Sequence, residues 1–371
     1  MRKLYQCLSV KQIRQLHERY ETHFSALALT AGFIFDSLTL RRIDLWAENA
    51  AILVFLLIAG LAIVLMHYVN TGWLREVSVF GHQPFAQAGW WLPLVMQFAF
   101  GGLFSMFLVF YGRSGAIVAN WPFFLTLAGL LVANEIVRRH YQRIYVNTLV
   151  WYTAVFAYTI FAVPLVVGQI GPLIFVLSGM ASLVVITLFI KLLQQISPDQ
   201  LQASVTWMLS VGGVFLVMNA LYFLNIMPPI PLSLKHTHVA HQVQRTPDNT
   251  YHVTYEKEPW YQPVFGDPTI HVSSGEPVYF FTSVFAPTDL TTNVIHRWQY
   301  NTQGEWVTAS EVSFPVTGGR KQGYRGYSLK KRMFPGQWRV ITAVEDGRVL
   351  GQTTFTISFT DINQSLTTST Y

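Results

Sequence analysis

Charge is scarce in this sequence. Only 12% of its 371 residues are Asp, Glu, Lys or Arg, against roughly 25% in ordinary soluble domains. A wholly water-soluble globular protein is thereby disfavoured. Cysteine is scarcer still: Cys7 stands alone, which excludes a disulfide scaffold. Neither disorder nor a collagen-like repeat fits a chain that is 51% hydrophobic. Familiar catalytic signatures are missing as well. No Gly-x-Ser-x-Gly elbow, HExxH pair, Walker A loop or GxGxxG turn occurs in a supporting context.

What is present is a mixture. A mean hydropathy of +0.34 is modest for a chain built only of membrane spans, and the composition changes abruptly near Asn225 to Lys235. Pro228, Pro229 and Pro231 cannot continue a helix there and make a stiff exit. Residues 1–227 carry 13 Lys/Arg against 8 Asp/Glu, and residues 228–371 carry 12 against 11. The basic excess therefore sits beside apolar runs, which argues against nucleic acid as a partner and for a lipid bilayer.

Seven stretches before the seam approach the roughly 20 apolar residues a bilayer requires: 24–40, 47–67, 90–111, 114–134, 145–167, 170–193 and 202–226. Aromatic residues near their ends, among them Trp46, Trp73, Tyr111 and Trp151, suit the headgroup zone. With all seven crossing and the N-terminus in the cytoplasm, ten basic residues fall inside: Arg2, Lys3, Lys11, Arg14, Arg19, Arg75, Arg138, Arg139, Arg143 and Lys191. Only Arg41, Arg42 and Arg113 fall outside. Without the first span the split is eight to five. The positive-inside rule favours the first arrangement, which exports the C-terminal part. Residues 1–23 read as a cytoplasmic amphipathic lead-in, 24–227 as the transmembrane domain, and 228–236 as a proline-rich linker.

From Thr237 to Thr360 the period falls to two. Strands are expected at 237–245, 250–257, 269–273, 277–286, 294–301, 306–314, 323–330, 337–343 and 349–359, separated by turn signals such as Pro247-Asp248-Asn249 and Asp346-Gly347. The expected fold class is a multi-span α-helical membrane bundle followed by an all-β, immunoglobulin-like antiparallel sandwich. The tail at 361–371 reads as flexible.

HRWQY (His296 to Tyr300), GGRKQGYRGYS (Gly318 to Ser328), GQWRV (Gly336 to Val340) and DGRVLG (Asp346 to Gly351) together resemble a bacterial membrane-protein family that carries the C-terminal "domain of unknown function 2914". The PPIPLSLK exit and the GFIFDSLTL segment (Gly32 to Leu40) resemble its full-length members. The resemblance implies an integral membrane protein of the bacterial inner membrane with an attached β domain. It brings no activity, substrate or cofactor.

The segment Gly318 to Arg332 concentrates Arg320, Lys321, Arg325, Lys330, Lys331 and Arg332 with Tyr324 and Tyr327 and no acid. Guanidinium forks and planar rings suit phosphates, carboxylates and sugar faces, and the glycines would let a ligand approach the backbone. A glycine-rich hairpin with solvated charges is the plainer alternative. Arg320, Lys321, Tyr324, Arg325, Tyr327, His296 and Trp298 are thus the candidate binding residues, for an anionic lipid, a glycan or an envelope protein. Trp298, Trp306 and Trp338 fit a sandwich core better than an exposed platform. His236, His238 and His241 lack a carboxylate or cysteine to complete a metal set, so no metal or other cofactor is expected. In the helical part, Asp36, Arg41 and Asp44 form the one candidate polar site. The leading expectation is a non-enzymatic anchor presenting a periplasmic β domain. The alternative is a transporter or membrane enzyme acting on a lipid-linked substrate within the bundle.

Overall fold

The computed structural model describes residues 34, 36, 38, 46–70, 88–114, 120–136, 144–196, 205–229, 231–257, 267–287, 290–319, 323–359 and 365–371. Among the described residues six helices with defined bounds come first: α1 Trp46–Asn70, α2 Ala88–Ser114, α3 Trp121–Ile136, α4 Ile144–Val167, α5 Pro172–Ile196 and α6 Val205–Phe223. Five of them, all except α3, are long and apolar enough to cross a membrane. The described part of α3 has 16 residues and extends about 24 Å, and it begins seven residues after the expected start of its span. The first expected span, 24–40, lies outside the described residues except at 34, 36 and 38, which are helical.

Aromatic rings fill the bundle interior. Tyr111 at the end of α2 meets Phe123 at the start of α3 at 4.6 Å and Phe161 near the end of α4 at 4.7 Å. Trp151 of α4 stacks on Phe189 of α5 at 4.2 Å, and its indole N–H donates to the Leu56 carbonyl of α1 at 2.9 Å. Trp151 and Tyr111 are therefore core residues rather than headgroup-zone rings, because each finds a partner for its polar atom inside. Helices approach closely where a glycine faces a ring: a Cβ on Gly179 would stand 2.9 Å from Phe215 and 3.1 Å from Phe156. Two serine hydroxyls of α5 bond back to their own helix, Ser178 to Ile174 and Ser182 to Gly179. The outward faces are apolar: Leu57, Phe98, Leu125, Val166, Leu173 and Met208 are all exposed.

The chain leaves α6 through a tight closure. Asn225 takes a left-handed conformation at φ 56°, and the N–H groups of Ile226 and Met227 both bond to the Leu221 carbonyl. Met227, Pro228, Pro229, Pro231 and Leu232 are buried, so the proline-rich exit is packed rather than loose.

Eleven strands follow: β1 Ser233–Ala240, β2 Gln242–Arg245, β3 Tyr251–Glu256, β4 Thr269–His271, β5 Val278–Phe285, β6 Thr291–Thr302, β7 Glu305–Thr317, β8 Tyr324–Lys330, β9 Gly336–Val344, β10 Val349–Ser358 and β11 Leu366–Thr370. They form three sheets, ordered β1-β5-β8, β4-β10-β9-β6-β7 and β11-β3-β2. The expected sandwich is the first pair of sheets, antiparallel except where β4 lies parallel to β10. The small third sheet is an addition. It packs on the other side of β5, where Phe281 meets Tyr251 and Tyr371. Strand β5, VYFFTSVF, is thus covered on both faces, which explains its almost unbroken apolar run.

Two expectations change. The segment 237–245 is not one strand: the chain turns at His241 and passes from β1 in one sheet to β2 in another. Residues 366–370 are not a frayed tail, because all five pair with β3 in register, Thr368 opposite Thr254, and Tyr371 exchanges both backbone bonds with Tyr251.

Gly179 and Gly212 give a paired test of the packing. Nothing lies within 4 Å of a Cβ on Gly212. Gly212→Ala should hold or raise the thermal midpoint of the purified chain in detergent, through helix propensity. Gly179→Ala should lower it, the two differing by about 1–3 kcal/mol.

Candidate functional site

The sandwich interior holds the two candidates from β6. His296 and Trp298 alternate on one face of the strand and both are fully buried. Ser328 of β8 links them. The Trp298 indole N–H, which can only donate, bonds to Ser328 Oγ at 3.0 Å. Ser328 Oγ also lies 2.9 Å from His296 Nδ1, and Thr282 Oγ1 lies 2.9 Å from His296 Nε2, one ring nitrogen donating and the other accepting. Phe280 and Phe314 close over the imidazole at 5.0 and 4.9 Å. Burial pushes the His296 pKa down to about 3, so the ring is neutral at ordinary pH. A serine beside a histidine is here a core brace with no access for a substrate.

Strand β8 divides the remaining candidates between its two faces. Tyr324 turns inward and packs with Val284, Leu290, Val294 and Val316. Arg325 and Tyr327 turn the other way, toward the β2–β3 turn. There Arg325 Nη1 donates to the Asn249 carbonyl at 3.3 Å, and Arg245 donates to the Asn249 side chain. Tyr327, 39% exposed, lies 6.3 Å from Tyr251 and 6.1 Å from Tyr279. The Arg245 guanidinium sits 6.0 Å from the Tyr251 ring. Three tyrosine rings and two guanidinium groups thus gather in one notch between edge strands β8 and β2. Arg320 and Lys321 lie outside the described residues, as do Arg41 and Asp44.

The glycines serve the chain itself. A Cβ on Gly326 would meet the Phe314 ring at 2.3 Å, one on Gly318 would meet the Pro287 carbonyl at 1.6 Å, and Gly323, at φ 88°, faces Ser283 and Val284. At these three positions the close approach is to neighbouring strands and loops. Lys330 is likewise committed, donating to Ala309 O and Ser310 Oγ of β7 at 3.2 and 3.1 Å.

The three histidines part company. His238 bonds to the Tyr371 hydroxyl and stacks on Tyr255 at 4.3 Å. Burial, with the nearby His236 second, lowers its pKa to about 4. His241 reaches Glu256 instead, at 3.0 Å, and His271 Nδ1 lies 2.9 Å from the other oxygen of that carboxylate. Among the described residues no group of three is placed to hold a metal ion. The buried Glu256 was not legible in the sequence, since its partners lie 15 residues away on each side. In the bundle, Asp36 is half-buried and approaches Ser105 of α2.

Residues 291–357 match the family described as "Protein of unknown function (DUF2914)". The matched segment contains β6 to β9, most of β10, and the His296–Trp298–Ser328 brace. No curated protein matches the chain. Among solved structures it is similar, at 10% identity, to an alkylpurine DNA glycosylase, AlkC, of Pseudomonas fluorescens bound to DNA containing an abasic site analog, over 86% of this chain and all of that one with a TM-score of 0.20. It is also similar, at 10% identity, to a beta-glucosidase from Listeria innocua in complex with gluconolactone, over 34% of this chain and 22% of that one with a TM-score of 0.18. Overlaps this poor constrain neither fold nor function.

The neutral His296 makes a pH prediction. Its folded pKa lies below the unfolded value of 6.5, so the unfolded chain takes up the proton first as pH falls. The stability it contributes is complete above pH 6.5 and is lost as pH drops toward 3, at up to about 1.4 kcal/mol per pH unit. His238 adds a smaller effect of the same sign. Denaturant midpoints followed by tryptophan fluorescence should fall between pH 6.5 and 4.5, and His296→Gln should flatten that slope; an unchanged slope contradicts the assignment.

Proposed function

We propose that this is a multi-pass membrane protein of the bacterial inner membrane, and that its helical half anchors a β domain on the periplasmic side. The β domain acts without catalysis, by binding an anionic or glycan component of the envelope or a protein partner there. The tyrosine–arginine notch between β8 and β2 is the single observation that carries the binding part. Tyr327 offers an exposed ring beside Tyr251 and Tyr279, and Arg245 and Arg325 are both held at the rim through Asn249. Rings of this kind stack on sugar faces while guanidinium forks take carboxylate or phosphate.

The anchoring part draws on the helices. Five are long and apolar enough to span, and their outward faces expose leucine, phenylalanine, valine and methionine that water would not cover. The basic residues cluster at one end of the expected spans, which supports a cytoplasmic N-terminus. A transporter or membrane enzyme draws less support: of its candidate residues only Asp36 is described, and among the described residues it approaches Ser105.

Binding of soluble peptidoglycan fragments and of lipopolysaccharide to the full chain in detergent tests the notch. Arg325→Gln with Tyr327→Ala should weaken at least one of these interactions about tenfold, the sum of a surface cation and a stacked ring, while the thermal midpoint stays close to that of the parent. Undiminished binding of both would discard the notch as the contact.

A further inference from the structure

The two faces of the five-stranded sheet differ in kind. Trp298, Trp338, Val340 and Phe355 lie on the inner face, buried in the core of the sandwich. Trp306, expected among them, lies on the other face. It stands near the start of edge strand β7, directly opposite Asn301 of β6, and Asn301 Nδ2 donates to Gln337 Oε1 of β9 at 3.4 Å. Side chains of cross-strand partners share a face, so Trp306, Asn301 and Gln337 form one row. Thr308, Gln299 and Arg339 form the next. Both rows lie at the end of the sheet farthest from the β9–β10 turn, where Arg348 rests on Tyr222 of the bundle. Trp306 is half-buried there, and Thr308 and Gln337 are exposed.

One guanidinium is held in place on this face. The Arg339 Cζ lies over the Trp306 ring, 4.2 Å from its centre. Its Nε donates to Gln299 Oε1 at 2.7 Å, and Gln299 Nε2 donates in turn to Thr308 Oγ1 at 2.9 Å. A guanidinium laid over a ring keeps its other N–H groups for further partners, and here Gln299 takes Nε. What remains is the end of the fork, Nη1 and Nη2. Among the described residues no carboxylate pairs with it: the ion pairs there join Arg297 to Glu311, Arg348 to Asp346, and His241 and His271 to Glu256. The Asp267 carboxylate on the same face accepts from Gln337 Nε2 at 3.0 Å instead. A positioned cation with an open fork, beside a half-exposed indole and a row of amides, has the parts of a binding site.

We propose that this patch binds a sugar bearing a carboxylate. The fork of Arg339 receives the carboxylate at two points. The sugar ring lies along the exposed part of the Trp306 indole, and its hydroxyls exchange hydrogen bonds with Asn301, Gln337 and Thr308. Other occupants fit less well. A protein partner calls for an apolar centre, whereas the neighbours of Trp306 in these rows are amides, a hydroxyl and a charge. Nucleic acid calls for several cations, and Arg297, in the next row of this face, is already paired with Glu311. One open cation, with Asp267 and Glu311 on the same face, suits a single carboxylate better than a doubly charged phosphate. The patch lies on the opposite side of the sandwich from the tyrosine–arginine notch, which belongs to β8 and β2, so it stands or falls without that reading.

The test titrates the full chain in an uncharged detergent by calorimetry. The probes are trigalacturonate and the disaccharide of N-acetylglucosamine and N-acetylmuramic acid, each also as its carboxyl methyl ester. At least one acid should bind, about tenfold more tightly than its ester, the difference made by one charge-assisted fork. Arg339→Lys keeps the charge and loses the fork, so it should abolish that preference while the thermal midpoint stays near the parent's. Trp306→Ala should weaken both acid and ester, since it removes the ring contact they share. Arg325→Gln with Tyr327→Ala should bind the probes like the parent, which keeps this result separate from the fate of the notch. Binding of neither acid, equal binding of acid and ester, or a preference that survives Arg339→Lys overturns the site. So does loss of binding in the Arg325/Tyr327 variant, which would move the contact to the notch.

Discussion

An apolar helix surface has to be kept from water, and most of this molecule follows from that requirement. The interior of the bundle is already filled by rings such as Phe100, Phe104, Phe156 and Phe161, which are fully buried. The leucines and valines that remain outside are not surplus core. In α6 only 17% of the apolar window is buried by the rest of the chain, against 61% in α2. A surface of this kind on several adjacent helices is compatible with lipid, which we propose as its surroundings. The same requirement explains why Ser178 bonds to a carbonyl of its own helix and why Trp151 sends its N–H inward.

At the other end, water imposes the opposite order. The β half keeps β5 as its central strand, with Thr282 facing the five-stranded sheet and Phe281 facing the third. A strand covered on both sides cannot carry exposed polar groups. The buried polar atoms that it does meet are joined in one chain, Trp298 to Ser328 to His296 to Thr282. Each side chain in it has a polar partner, so the network favours one register of β6 against β5 and β8. The two halves meet through Arg348 on Tyr222 and through Ile170, which joins the cluster of Leu232, Val284 and Leu350. The function we propose for the β half therefore belongs to a domain seated on the bundle.

Much of this was legible in the sequence because it follows local periodicity. The strands from β3 to β10 fall within a few residues of their expected places, since each is bounded by turn residues that act on neighbours. The long spans stand out for the same reason. What was not legible depends on distant pairing. Strand β11 exists because Thr368 meets Thr254 and Tyr371 meets Tyr251, contacts that no local pattern announces. Glycines 318, 323 and 326 look alike in sequence whether they admit a ligand or a neighbouring strand, and here they admit strands. The basic run Arg320 to Arg332 reads as one patch, yet alternation along β8 sends Tyr324 inward and Arg325 outward. Arg348 gave no signal beyond its place in DGRVLG, because its meaning lies in a helix more than a hundred residues earlier.

The proposed binding role of the notch depends on the β half standing outside the cytoplasm, at the outer ends of the helices. A single reporting cysteine measures that directly. Cys7→Ser removes the native thiol, and Glu305→Cys places one at the exposed β6–β7 hairpin. Right-side-out membrane vesicles are then treated with a membrane-impermeant maleimide. The thiol should react at once in sealed vesicles, as fast as after detergent is added. Labelling that appears only once the membrane is opened would put the domain in the cytoplasm and contradict the arrangement on which the proposed function relies.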